Sequence, residues 1–305
     1  MPGYRGRFAP SPTGPLHFGS LVAAVASYLD ARAHAGEWLV RIEDVDAARC
    51  SRQWADDILR SLEAFGFTWD GEVWYQTSAA RRLAYADALR MLEERGLVYP
   101  CACSRKEIED SQLRPDSPAE AAERRYPGTC RNGLREGKAP RAWRVRVNRD
   151  PIEFHDRSYG CHSEVLEDTA GDFILKRADG PFAYQLAVVV DDAQQGITDV
   201  VRGADLLSST ARQIYLQRLL GYPQTRYWHI PVVTNDSGEK LSKQTGARPL
   251  DLQTAPALLG DAFRFLGLAP PPQLRNAPLA ELWVWASDAF SQSIAGREAR
   301  PWLLA

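Results

Sequence analysis

The sequence predicts an α/β fold: a doubly wound, Rossmann-type parallel sheet carrying an inserted subdomain and a short helical C-terminal region. Three observations predict it. Strand-like and helix-like segments alternate over the first hundred residues, the apolar strand "EWLVRIEDVD" ends in carboxylates, and the Pro/Gly-rich loop "RFAPSPTGPLHFGS" (7 to 20) runs straight into a helix.

Taken in order, "YRGRFAPS" reads as a short strand entering a loop, followed by a helix from about Gly19 to His34 that stops at Gly36. "EWLVRIEDVD" has the pattern of a buried parallel strand whose C-terminal edge faces a site. Amphipathic helices follow near 51–65 and 78–95, the second opening at Ser78 and closing before Gly96. From about Val98 the character changes to a stretch rich in proline, cysteine and arginine, with a clear strand only at "AWRVRV". The α/β pattern resumes at "DFILKR", "FAYQLAVVVDDAQQG", "TDVVRGAD" and a helix near 208–220. After "YWHIPVVTN" come the loop "DSGEKLSKQTG" and helices near 255–267 and 279–295. The expected division is therefore 1–98 and 172–222 as the two halves of the nucleotide-binding domain. Residues 99–171 form the insertion, and 223–305 a lysine-bearing loop with a helical region.

Composition narrows the function. The 305 residues are 45% hydrophobic and 25% charged, which excludes a disordered chain. Apolar runs such as "LAVVV" fall far short of the ~20 residues of a membrane span, and the opening motif at Arg7 leaves no room for a signal peptide, so a cytoplasmic protein is expected, without membrane contact. A net charge of -2 excludes a globally basic nucleic-acid binder; residues 95–150, with 13 Lys or Arg against 8 Asp or Glu, form a local basic stretch. Five cysteines, an odd number, argue against a disulfide framework and leave metal binding or burial.

Two loops carry the chemistry. In "PLHFGSLVAA", a helix N-terminus with its unpaired N–H groups suits phosphate; Gly14 and Gly19 allow close backbone approach, and His17 can donate to a phosphate oxygen. In "EKLSKQ" (239 to 244), Lys240 and Lys243 flank a serine and can clamp polyphosphate. Either alone is a weak signal. Their presence at opposite ends of one α/β pattern makes an ATP site the stronger reading.

The pair "HFGS" and "KLSKQ" resembles the two signature motifs of class I aminoacyl-tRNA synthetases. "RFAPSPTGPLHFGSL", "RIEDVD", "FAYQLAVVVDD" and "VVRGADLL" make residues 5 to 250 specifically similar to the glutamyl branch, although Ser20 stands where the superfamily has histidine. Only 62 residues (305 − 243) follow Lys243, so no anticodon-binding domain is expected, and with the "CAC" insertion the pattern is similar to the glutamyl-queuosine tRNA(Asp) synthetase family. That resemblance implies a ligase that activates L-glutamate with ATP, without needing tRNA for this step. It then esterifies glutamate to queuosine at the wobble position of tRNA(Asp), implying contact with the anticodon stem-loop. A monomer is expected.

Beside that resemblance, the residues suit the chemistry. Glutamate presents an ammonium and two carboxylates; Glu43 suits the ammonium, Arg7 and Arg202 suit carboxylates, and Tyr184 adds a directed hydroxyl. The backbone of Arg7, Phe8, Ala9, Pro10 and Ser11, with the Ser11 hydroxyl, completes the pocket. His17, Gly19 and Lys243 are assigned to ATP, with His17, Lys240 and Lys243 acting in catalysis by positioning and charge stabilisation, and Mg2+ accompanying the phosphates. Cys101, Cys103 and Cys130 offer three thiolates for one structural Zn2+. The family pattern implies Tyr126 as the fourth ligand; Cys161 or His162 would be more conventional donors. A reduced glutamyl-tRNA synthetase charging the 3′ end of tRNA(Glu), and a non-catalytic RNA-binding relative, stay open as alternatives.

Overall fold

A computed structural model of the protein describes residues 3–110, 125–234 and 248–295. The first part of the chain forms β1 (Arg5–Phe8), α1 (Phe18–Ala33), β2 (Glu37–Ile42), α2 (Arg52–Ala64), β3 (Trp74–Tyr75), α3 (Ala79–Glu94) and β4 (Val98–Cys101). Then come α4 (Arg105–Asp110), β5 (Ala142–Val145), β6 (Ile152–Asp156), β7 (Gly160–Glu164), α5 (Leu166–Thr169) and β8 (Ile174–Lys176). The remainder is α6 (Tyr184–Gln194), β9 (Asp199–Gly203), α7 (Thr210–Leu220), β10 (Arg226–Ile230), α8 (Ala255–Phe265) and α9 (Leu279–Ala295).

The strands β1, β2 and β3 run parallel in that order, with Arg7 beside Leu39. A second group, β7-β6-β10-β9, is parallel from β6 through β9 and antiparallel only in the β6–β7 hairpin. The groups meet at β1, where the Thr198 N–H donates to the Arg5 carbonyl at 2.9 Å and the Arg5 N–H donates to Thr198 Oγ1 at 2.8 Å. The layer therefore reads β3-β2-β1-β9-β10-β6-β7, with β1 and β9 at its centre. That junction is where the chain reverses direction across the sheet, and ligands of open parallel sheets bind beyond the strand ends at such a point.

Boundaries drawn from composition do not coincide with the sheets. β6 and β7, in the stretch assigned to the insertion, extend the main layer, and β10, placed with the C-terminal region, lies inside it. Conversely β8, assigned to the second half of the nucleotide-binding domain, completes a small antiparallel sheet β4-β5-β8. The physical reason is pairing: unpaired strand edges demand partners wherever the chain supplies them, and composition does not report pairing.

The two halves of the layer have their own packing. α1 lies almost wholly buried against β1 and β2, and α8 and α9 close over it. Tyr28 of α1 sits edge-on to Trp38, Phe67 and Trp283, with centroids 5.0, 5.4 and 4.9 Å away. The C-terminal helices are thus part of the core that holds the "HFGS" helix, not an appendage. Gly36 allows the return from α1 to β2, because a Cβ there would clash with the Tyr4 carbonyl oxygen. α3, α6 and α7 pack with β6 and β9 in the second cluster. α6 is helical despite the β-branched run Val188–Val190, each of which it buries, so packing outweighs propensity. Among the described residues no helix is long and apolar enough to cross a membrane.

Candidate active site

β1 and β2 deliver Arg7 and Arg41 side by side at the reversal point, and both turn to α6. Arg7 donates from Nε and Nη2 to the two Asp192 oxygens at 3.2 and 3.5 Å, and Arg41 donates to the same carboxylate at 2.7 Å. Arg41 also donates to Glu43 Oε1 at 3.3 Å and to Gln195 Oε1 at 2.6 Å. Behind it, Asp191 accepts from Gln76 at 2.9 Å and from the Tyr85 hydroxyl at 2.7 Å. Asp192 is held ionised despite burial, because Arg7 and Arg41 lower its pKa. Burial has the opposite result at Glu43, raising it from 4.5 to about 6 against the pull of Arg41 and Arg7.

Glu43 follows directly on β2, and its N–H donates to the Pro10 carbonyl at 3.0 Å, pinning the 7–11 segment to the strand end. Phe8 points away from this site, stacked on Trp38 in the core, so only its backbone is available to a ligand. Ser11 is exposed and Pro10 half-buried at the mouth. Tyr184 opens α6, and its phenol is raised first by burial and then by the Glu43 charge, with Arg202 and Arg7 pulling the other way. The Tyr184 hydroxyl is thus within electrostatic range of Glu43, Arg7 and Arg202.

Arg202, on β9, is buried with a different kind of company. Its Nε donates to His229 Nε2 at 2.9 Å, Nη1 to Gln213 at 2.8 Å, and Nη2 to Thr210 Oγ1 at 2.9 Å and the Leu206 carbonyl at 3.2 Å. Every one of these acceptors is uncharged.

At the start of α1, His17 is the N-cap, and its Nδ1 accepts from the Ser20 N–H at 3.3 Å. In the neutral ring that leaves the proton on Nε2. Gly14 adopts φ +156°, which side chains other than glycine rarely tolerate. His17 also forms an isolated antiparallel bridge with Pro249, and the Leu250 N–H donates to the Leu16 carbonyl at 3.1 Å. Lys240 and Lys243 lie outside the described residues. Gly19 sits in the first turn of α1.

In the small sheet, Cys101, Cys103 and Cys130 place their sulfurs within 4.8 Å of one another, the one group of three or more metal-binding side chains of this kind among the described residues. The Tyr126 hydroxyl lies 3.4 Å from Cys101 Sγ and 3.5 Å from Cys103 Sγ, and accepts the Cys130 N–H at 2.9 Å. Tetrahedral zinc, with bonds of about 2.3 Å to sulfur and about 2.0 Å to oxygen, sets such S···O separations at about 3.5 Å. The cluster can therefore bind a metal, and its geometry fits that ion. Burial raises the Cys103 thiol to about 11, whereas at Cys130 burial is outweighed by hydrogen bonds from Ala102, Tyr126 and its sulfur neighbours, which lower it. Arg144 lies over the Tyr126 ring at 3.7 Å and donates from Nε to Cys101 Sγ at 3.3 Å, a fixed positive charge beside the donors. Cys161 and His162 are on β7, outside this cluster, with His162 stacked on Phe154.

Sequence reasoning missed Arg41, Asp191, Asp192 and His229. The signal for each was a charged or polar residue embedded in an apolar run: "WLVRIE", "VVVDD" and "YWHIP". Such a residue inside a buried element requires a partner, but the sequence does not say which.

Comparison with known proteins gives a consistent picture. The profile of the class I tRNA synthetase (E and Q) catalytic domain matches residues 4–255. A glutamyl-Q tRNA(Asp) synthetase of Dechloromonas aromatica is 57% identical, aligned over 97% of this chain and 97% of that protein. One from Aromatoleum aromaticum is also 57% identical, over 95% and 90%. The crystal structure of a glutamate-tRNA synthetase from Elizabethkingia anophelis superposes with a TM-score of 0.67 at 26% identity, covering 80% of this chain and 53% of that one. This chain thus spans about half the length of that solved enzyme.

Proposed function

Because the chain belongs to the class I tRNA synthetases for glutamate and glutamine, and within them to the glutamyl-Q tRNA(Asp) synthetases, we propose that it forms glutamyl-adenylate from ATP and L-glutamate and transfers the glutamate to queuosine of tRNA(Asp). What supports the glutamate half is that Glu43, Arg7 and Arg202 are buried and all act electrostatically on the Tyr184 hydroxyl. An acidic amino acid needs one anion for its ammonium and cations for its carboxylates, and this is that set of charges.

In this reading Glu43 holds the ammonium, the arginines and Tyr184 hold carboxylate oxygens, and the 7–11 backbone lines the mouth. His17 donates from Nε2 to phosphate, while the α1 N-terminus favours the anion. A carboxylate oxygen of glutamate attacks the α-phosphorus, the bond to the β-phosphate breaks, and pyrophosphate leaves. Lys243 and Lys240 stabilise the charge that develops on the phosphates, with magnesium as counterion. A queuosine hydroxyl then attacks the anhydride carbonyl and AMP departs. Cys101, Cys103, Cys130 and Tyr126 would hold one structural zinc, supplying a cross-link within the small sheet.

Glutamine is rejected because its amide would leave a buried arginine unpaired; aspartate, short by one methylene, is refused by only ~1–3 kcal/mol. The basic 95–150 stretch and the C-terminal helices are the proposed seat of the anticodon stem-loop, with the enzyme acting as a cytoplasmic monomer; footprints confined to the acceptor arm would overturn that placement.

Glutamate-dependent ATP–pyrophosphate exchange without tRNA tests the first half, and its absence would end it. Labelled glutamate offered to tRNA(Asp) with and without queuosine tests the second. Label on the 3′ adenosine, abolished by periodate, would instead mark a reduced glutamyl-tRNA synthetase.

A further inference from the structure

The placement of Arg202 differs in kind from that of Arg7. Arg7 rests directly on a carboxylate, Asp192, whereas among the described residues Arg202 meets a carboxylate only at one remove. That carboxylate is Asp156, the last residue of β6, and it is fixed on all sides. Its Oδ1 accepts the N–H groups of Ser158 at 2.9 Å and Tyr159 at 3.0 Å, and its Oδ2 accepts the backbone N–H of His229 at 3.0 Å and His229 Nδ1 at 2.7 Å. With its proton on Nδ1, the imidazole presents Nε2 as the acceptor for Arg202 Nε. His229 is wholly buried, and burial together with Arg202 holds down its charged form against the pull of Asp156.

We propose that His229, locked by Asp156, is a positioning residue for glutamate selection: it orients Arg202 through a neutral acceptor and so leaves the guanidinium charge unneutralised for a substrate carboxylate. A carboxylate in direct contact would orient the arginine equally well, but it would compete with the substrate for the same charge-assisted bonds. An imidazole orients without competing. Gln213, Thr210 and the Leu206 carbonyl follow the same rule, so every acceptor that aims the cation among the described residues is neutral. This inference rests on the reading of Arg202 as a carboxylate anchor.

The test separates the two nitrogens of the ring. In His229→Asn the amide retains a donor near the Nδ1 position and the link to Asp156, but loses the acceptor for Arg202. In His229→Gln the amide oxygen reaches the Nε2 position and restores it. Pyrophosphate exchange should show the glutamate KM of His229→Asn raised by about tenfold or more, the loss of one bond to a charged group. The ATP KM should stay within about twofold, and His229→Gln should recover most of the loss. Arg202→Gln serves as control. Should Arg202→Gln leave the glutamate KM unchanged, the site assignment itself falls. If it raises the KM while His229→Asn and His229→Gln behave alike, or if glutamate and ATP constants move together, the positioning role alone falls. Should the variants fail to fold, long-range proton–nitrogen correlation on the unmutated protein, which has five histidines, decides the matter. A neutral Nδ1–H tautomer for His229 is expected; an imidazolium or the Nε2–H tautomer overturns the proposal.

Discussion

His17 and Pro249 are bridged across antiparallel backbone, so the chain returning from the lysine-bearing loop lands on the N-cap of α1. Lys243, six positions before Pro249 in the sequence, lies outside the described residues. We propose that the two motifs belong to one site. His17→Asn, which keeps a good N-cap, should leave Tm nearly unchanged while lowering the exchange rate about 10²-fold; Lys243→Ala should do the same. Urea unfolding beside exchange kinetics checks both, and a large loss of stability in His17→Asn would mean that its role is capping.

Glu43 should set two opposed pH trends. Its folded pKa of about 6 exceeds its ordinary 4.5, so the fold prefers the protonated acid. The stability this confers is fully present below pH 4.5 and is lost as pH rises through about 6, costing about 2 kcal/mol above it. Ammonium binding needs the ionised form, so glutamate affinity should fall as pH drops below about 6. Glu43→Gln should raise Tm at pH 7.5 while abolishing exchange; a variant that loses both would refute the assignment.

Asp192 should behave in the reverse sense. Its pKa is held low by Arg7 and Arg41, so its contribution is present at neutral pH and disappears on acidification below the ordinary carboxylate range. Asp192→Asn leaves two buried guanidinium groups short of their shared anion and should cost about 3–5 kcal/mol. Denaturant titration would show it, and a neutral effect would mean that water replaces the carboxylate.

The small sheet should bind one zinc per chain, measured by metal analysis of the purified protein. Cys103→Ser or Cys130→Ser should abolish it. Arg144→Leu, which removes the charge over Tyr126 and beside Cys101, should weaken it about 10–100-fold in chelator competition. Unchanged affinity in Arg144→Leu would limit that residue to packing.

Trp283 of α9 donates to the Phe65 carbonyl at 2.9 Å and packs on Tyr28, Phe67 and Phe263. Trp283→Ala should cost about 3–5 kcal/mol and, through α1, impair exchange as well. A destabilised enzyme of normal activity below its Tm would separate the two effects.

Regular elements with a strong period were legible beforehand: the helix anticipated near 78–95 is Ala79–Glu94, and that near 279–295 is Leu279–Ala295. The β6–β7 hairpin was not, although β6 buries alternate residues, because its flanking proline, arginine and cysteine content suggested an irregular insertion. Glu43, Arg7, Tyr184 and Arg202 were legible as residue types suited to glutamate. Asp192 and His229 were not, because each is defined by a partner on an element dozens of residues away. Local pattern registers burial, whereas partnership is a property of the fold.

The β6–β7 hairpin has a consequence for how this architecture can vary. Its first strand ends in Asp156, whose grip on His229 reaches the pocket from the periphery of the sheet. The turn beyond it is tied as well: the Ser158 and Tyr159 N–H groups donate to Asp156, and Arg157 pairs with Asp30 of α1 at 2.6 and 2.8 Å, so a graft that replaced the hairpin with one from an unrelated scaffold would cut the pocket's anchor line. The segment that looks most removable is thus constrained both at its carboxylate and through its turn.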